Sequence, residues 1–312
     1  MTRASGKHLM TSYIQANTHG RLHDAAEPSI APLNRGFLYG DAVYEVWRTY
    51  QRVLFAFDEH WERLGRSAAA LSIELPLSAT DLLAEIRRTA VAFREKTGHE
   101  EDLYVRLQVT RGAGPIGLDP ALADRASWVI LVQALKSPVA AAGRAGLHLS
   151  VARALRRNSP DALNPAWKTG NYLNNMLCLR EAKARGADEV VILNEAGAIS
   201  EAAVCNIFFV RGQELITPPL SAGILEGITR LVILRDLAGS AGLTVCEDPV
   251  HPADLPHFSE CFLSSSTRDV APVERIDDQR FTIGAATVSA RLKDAFAGYT
   301  LAYAKKHPAQ RL

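Results

Sequence analysis

The chain has 312 residues, with 35 Lys and Arg set against 34 Asp and Glu. This length exceeds one ordinary core and suits two domains of roughly 130 to 170 residues. The near-cancelling charge gives no global field for nucleic acid or an anionic membrane, so any anion must be held by a local site. The opening MTRASGKHLM lacks an apolar leader core, and no stretch nears the roughly 18 apolar residues of a membrane helix. Cys178, Cys205, Cys246 and Cys261 show no metal-binding spacing and lie in apolar segments, which points to reduced core thiols in a soluble cytoplasmic protein that needs no metal.

In chain order, the first 25 residues read as an extended arm with one short strand at Thr11 to Ala16. GFLYGDAVYEVWRTYQRVLFAF alternates bulky and small residues and predicts two or three strands around a turn at Gly36 to Asp41. Asp58 is the expected cap of a helix whose apolar face carries Leu64, Ala68 and Leu71, and a second helix spans about Ala79 to Lys96. Leu103 to Thr110 and Trp128 to Val132 read as paired strands around RGAGPIGLDP, a glycine- and proline-rich loop that excludes regular structure and is a candidate lid. LKSPVAAAGRAG lacks periodicity, so the expected division is a small domain at 1–136, a linker at 137–146 and a larger domain at 147–312.

The second half opens with a strand at Leu147 to Arg153 and a loop broken by Pro160 and Pro165, which delivers Lys168. A helix from about Asn171 to Arg185 should stop at Gly186. Val190 to Leu193 and Val204 to Val210 predict two strands, with the turn NEAG and a short bridge carrying Glu201 between them. TPPLSAGILEGITR is a loop entering a helix, and Cys261 to Leu263 runs into the hydroxyl-rich SSST. The sum is an α+β chain.

Several residues offer chemistry together that none offers alone. Lys168, in a loop between a strand and a helix, presents an amine suited to Schiff-base formation, which a cationic or desolvated setting activates. Glu201, ahead of an apolar strand, is placed to turn a carboxylate inward. Gly227 precedes a helix whose first N–H groups, at Ile228 and Thr229, are free donors for an anion, and Arg63 can reach an anion with a fork of N–H groups. Ser264 to Thr267 adds hydroxyl and backbone donors at a strand end. An amine, an acid for a ring nitrogen and donors for a phosphate are what pyridoxal 5'-phosphate requires of a protein.

From about Asn34 to Val273 the chain resembles the class IV aminotransferases, the branched-chain and D-amino acid aminotransferase family, through NRGFLYGDAVYEVWR, HWERL, YVRLQVTRG, KTGNYL, ISEAAVCNIFFV, GILEGITR and FLSSSTRDVAPV. The resemblance implies a two-domain fold type IV enzyme with a small α/β domain, a larger pseudo-barrel domain and the cofactor between them at a homodimer interface. It implies Lys168 as the cofactor-bound catalytic lysine, Glu201 at the pyridine nitrogen, and Tyr172 near the ring hydroxyl. Arg63, Gly227, Ile228, Thr229 and Ser266 would hold the phosphate. The activity implied is ping-pong transamination between an amino acid and a 2-oxo acid.

For substrate, the family's D-type members carry an Arg-x-His trap where this chain has Ile116, Gly117 and Leu118, whereas Tyr104 and Arg106 match the branched-chain members, with Thr267 receiving the carboxylate. Phe37, Tyr39 and Tyr44 would wall an apolar side-chain pocket, so an L-amino acid of branched-chain type is expected. Val46 stands where branched-chain members usually have glycine, and GDAVYEV also suits D-type or amine-acting members. D-amino acid or R-selective amine transamination is therefore an alternative, and an aminodeoxychorismate lyase of the same fold is another.

Overall fold

The computed structural model describes residues 13–123, 125–136 and 144–312. Thr11 and Ser12 of the expected first strand, and most of the expected linker, lie outside the described residues. The chain folds around two sheets, and the α+β expectation holds.

The first sheet contains β1 (Gln15–Thr18), β2 (Arg21–Asp24), β3 (Ala42–Tyr50), β4 (Val53–Leu54), β5 (Leu103–Thr110) and β6 (Ser127–Ala134) in the order β2-β1-β6-β5-β3-β4. Every pairing is antiparallel. Residues 1–12 of the expected arm lie outside the described residues; within the rest of it, residues 15–24 instead form a hairpin at one edge of the sheet. Its turn uses His19 and Gly20 at φ 51° and 86°, which match the right-handed twist of the flanking strands.

The expected strand turn at Gly36 to Asp41 is instead a one-turn helix, α1 (Arg35–Tyr39). Asn34 Oδ1 accepts from Gly36 N at 2.9 Å, and Gly40 closes the turn at φ 68°. That cap outweighs the β-rich composition of the segment. Helix α2 (Phe57–Ala70) starts before Asp58, which is not its cap; Ala56 holds that position in a left-handed conformation. Phe57 stacks on Trp47 at 6.0 Å and so fixes the helix start by packing, while Asp58 and Glu59 sit in the first turn, where the helix dipole favours them. Helix α3 (Ala79–Thr97) follows its sequence signals: Ser78 caps it, Gly98 ends it, and Leu82, Ile86, Ala90 and Phe93 form its buried stripe. Both long helices cover the core built on Trp47, Leu107 and Ile130.

The second sheet runs β12 (Thr244–Glu247), β11 (Glu214–Thr217), β10 (Asn206–Arg211), β13 (Glu260–Ser265), β14 (Asp269–Ile276), β7 (Leu147–Val151), β8 (Glu189–Leu193) and β9 (Ile199–Ala202), with β15 (Gln279–Arg280) paired to β14. β9 ends this order, yet only three residues join it to β10 on the far side. Ala202 N donates to Cys205 O at 2.9 Å across that link. So short a connection between distant strands curls the sheet into a half-barrel, the pseudo-barrel expected from the sequence. It also explains why β10 starts at Asn206 and not at Val204, which is 56% exposed in the link.

Helix α4 (Leu173–Ala184) crosses between the parallel strands β7 and β8. Helix α5 (Ile228–Val232) is one turn that widens into a π-type turn at Ile233–Leu237, and α6 (Val288–Lys306) packs against β14 and β13. Among the described residues no helix is long and apolar enough to cross a membrane. Cys178, Cys205 and Cys261 are buried and Cys246 half-buried, all as free thiols.

Candidate active site

Strand β3 and the loop before α4 are knitted together. Tyr44 N donates to Lys168 O at 3.0 Å, Gly170 N to Ala42 O at 2.9 Å, and Lys168 N to Ser67 Oγ on α2 at 3.1 Å. These bonds fix the lysine opposite Tyr44 although 124 residues separate them in sequence. Lys168 Nζ lies 3.4 Å from Tyr44 Oη and 4.5 Å from the centre of that ring, with the Tyr172 ring 6.0 Å away. Burial pushes both phenols up. At Tyr44, Lys168, Tyr172 and Arg106 outweigh burial and bring it below the ordinary tyrosine value, while Tyr172 stays well above it.

The amine faces a cavity of about 220 Å³. Glu201 closes one side of it from β9 and is 5% exposed. Its Oε1 accepts from Arg157 Nη2 at 2.6 Å, and its Oε2 from Asn206 Nδ2 at 3.2 Å and Leu225 N at 3.3 Å. Burial raises the Glu201 carboxyl above its ordinary value, with Arg157 acting against the rise.

At another side stand Arg63, Gly227 and Ile228. A Cβ at Gly227 would meet Asn206 Oδ1 at 2.1 Å and displace the amide that donates to Glu201. Thr229 is 2% exposed but lies behind this wall. Arg63 is 4% exposed, not on a solvated helix face, and donates through Nη1 to Glu226 O at 2.7 Å. Ser264, Ser265, Ser266 and Thr267 form a further wall, and the hydroxyls of Ser264 and Ser265 are buried with no hydrogen-bond partner among the described residues. Tyr104 and Arg106 enter from alternate positions of β5, and the Arg106 guanidinium lies 3.9 Å over the Tyr44 ring.

The expected site residues thus converge, with three exceptions. Besides Thr229, neither Phe37 nor Tyr39 lines the cavity of this chain: Phe37 points outward at 75% exposure, and Tyr39 Oη accepts from Gly117 N at 3.2 Å. Both lie on α1, which the capped turn aims at the loop 111–120. Arg35 donates to Gly117 O and Leu118 O, tying the candidate lid to that turn.

Arg157, Asn206, Glu45 and His60 were missed from sequence. Arg157 is indistinguishable there from its neighbour Arg156, which is exposed. Glu45 did leave a signal, as an acid amid the apolar residues of a central strand, where burial demands a partner.

Residues 42–276 match the family model of the amino-transferases of class IV, well over half of the chain. A relative named putative branched-chain-amino-acid aminotransferase from Methanocaldococcus jannaschii is 35% identical over 259 residues, covering 83% of this chain and 86% of that one. One named aminodeoxychorismate lyase from Bacillus subtilis is 29% identical over 263 residues, covering 84% and 87%. The crystal structure of a branched-chain aminotransferase from Thermoproteus uzoniensis with norvaline superposes with a TM-score of 0.84 at 28% identity, covering 96% of this chain and 98% of that one. With this extent of sequence match, and with a lysine and a carboxylate facing one cavity, the chain belongs to the class IV aminotransferases.

Proposed function

We propose that the chain is a pyridoxal-phosphate-dependent transaminase that moves an amino group between a branched-chain-like L-amino acid and a 2-oxo acid, in ping-pong order. The observation that carries this reading is the Lys168 amine, which shares a cavity with Glu201 on one side and with Arg106 and Tyr104 on another. The residues present fit the cofactor. Among the described residues the buried hydroxyls of Ser264 and Ser265 have no hydrogen-bond partner and no side chain caps the helix that Ile228 opens, and Arg63 has donors to spare, all suited to phosphate oxygens.

When bound, pyridoxal phosphate supplies an electron sink for the charge left as a bond at the substrate Cα breaks. Arg63, Ile228 and Ser266 would bind the phosphate, with Gly227 allowing the close approach and Thr229 supporting the turn. Glu201, whose charge Arg157 favours against burial, would hold a proton at the ring nitrogen. Tyr172 and Tyr44 flank Lys168, whose Nζ would take the proton from the substrate Cα and deliver it to the acceptor carbon, as base and then acid. Arg106, Tyr104 and Thr267 orient the carboxylate. The exposed apolar side chains of Phe37, Ile116 and Leu118 favour a homodimer, and the free thiols suit a reducing cytoplasm.

The test is a spectral half-reaction screen of the loaded protein with L-leucine, D-alanine and R-1-phenylethylamine. L-leucine should bleach the cofactor band fastest, and a preference for either of the others would sink the substrate assignment. Pyruvate release from aminodeoxychorismate would favour the lyase reading that the B. subtilis relative's name raises.

A further inference from the structure

We propose that Glu45 is a positioning residue for cofactor binding, which holds the Arg63 guanidinium rigid so that its uncommitted N–H groups are ready for phosphate. This deepens the reading above and rests on it. Successive residues of β3 point to opposite faces: Tyr44 and Val46 line the cavity, whereas Glu45 turns toward α2 and is fully buried. There Arg63 Nε donates to Glu45 Oε1 at 2.7 Å and Arg63 Nη2 to Oε2 at 2.8 Å, a side-on fork. The third donor in use, Nη1, reaches the carbonyl of Glu226, next to Gly227. A guanidinium carries five N–H groups; Nη2 also lies 3.3 Å from His60 Nδ1, but that nitrogen gives its own proton to Glu45 and so cannot accept, which leaves one N–H on Nη1 and one on Nη2, and Arg63 borders the cavity.

His60 secures the carboxylate from behind, its Nδ1 2.7 Å from Glu45 Oε2. Nδ1 faces a carboxylate oxygen, which accepts, so Nδ1 is the donor, while burial holds His60 below its ordinary value with Glu45 acting against the drop. Burial also opposes the Glu45 charge, and Arg63 and His60 overcome it, keeping the carboxyl below its usual range.

Two effects of Glu45 on phosphate binding compete. Its negative charge opposes the phosphate, whereas its fork removes the cost of ordering a long side chain as the ligand arrives. Full burial of the pair decides for the second, since without the Glu45 fork Arg63 is a buried cation held by the Glu226 carbonyl alone. The sign is measurable.

The experiment titrates apo protein with pyridoxal phosphate and, separately, with pyridoxal, which has the same aldehyde and no phosphate, following absorbance of the bound form. Glu45→Gln should raise the Kd for pyridoxal phosphate by about tenfold or more and that for pyridoxal by less than about twofold. Glu45→Asp keeps the charge, should fold even where the amide does not, and should fall between wild type and Gln in phosphate selectivity. Unchanged or tighter pyridoxal phosphate binding, or an equal loss for both ligands, would overturn the proposal. If wild type binds the two ligands equally, the phosphate site itself is absent and the function reading fails with it.

Discussion

Replacing Arg157 by Met isolates the buried charge at Glu201. The two side chains are 8% and 7% exposed and 2.6 Å apart, and Arg157 also donates to Asn175 Oδ1 at 2.9 Å. Removing one partner of a buried ion pair leaves an uncompensated charge at a cost of about 3–5 kcal/mol. The remaining donors to Glu201, Asn206 Nδ2 and Leu225 N, are longer and uncharged, so they recover only part of that. The cost must also depend on pH. Burial already places the folded Glu201 carboxyl above its unfolded value, with Arg157 opposing. A group raised in this way adds its stability below the unfolded value, about 4.3, and loses it as pH climbs through the folded one. Losing Arg157 pushes the folded value higher still, which widens that window upward.

The destabilisation of Arg157→Met should therefore be near its maximum at pH 8 and much smaller at pH 5, where the orphaned carboxyl takes a proton instead. Urea unfolding of the apo protein at both pH values measures this. A loss below about 1 kcal/mol at pH 8 would refute the reasoning, as would a loss that is the same at pH 5. The double variant Arg157→Met/Glu201→Gln should recover most of the stability, because no unpaired charge remains.

Lys168→Ala should fold normally yet lose the absorption band that wild type shows with pyridoxal phosphate; a wild type that stays colourless would contradict the assignment. Arg106→Ala should raise KM for an amino acid by about tenfold, and far less for an amine without a carboxylate, and an equal effect on both would remove Arg106 from carboxylate recognition. Asp269→Asn should cost about 1–3 kcal/mol, because Asp269 accepts from Arg48 Nη1 at 3.0 Å and from the Tyr50 hydroxyl, pinning the hairpin after Thr267 to β3. Asn tolerates the φ of 53° at that position, so urea unfolding would read the lost polar contacts and not backbone strain, and no change would show the contacts to be idle.

Local signals carried much of the fold. Helix α3, with its serine cap, apolar stripe and terminal glycine, and the β5–β6 pairing were readable because propensity, period and breakers agree there. α1 and the start of α2 were not, since a single side-chain cap and a ring stacked on Trp47 override composition. At the site, Lys168, Glu201 and Arg63 were legible because their motifs are strings of adjacent residues. Their partners were not. Arg157 reaches Glu201 from another segment, Asn206 turns back to it only through the tight link between β9 and β10, and Glu45 meets Arg63 across the β3–α2 packing, so only the assembled fold distinguishes a buried Arg157 from an exposed Arg156. The one-dimensional string determines which chemical groups are available and the local geometry that carries them. Which of those groups lose water, and therefore which charges must pair, is decided by the curl of the second sheet and the packing of β3 against α2, because desolvation depends on everything within a few ångströms and not on neighbours along the chain.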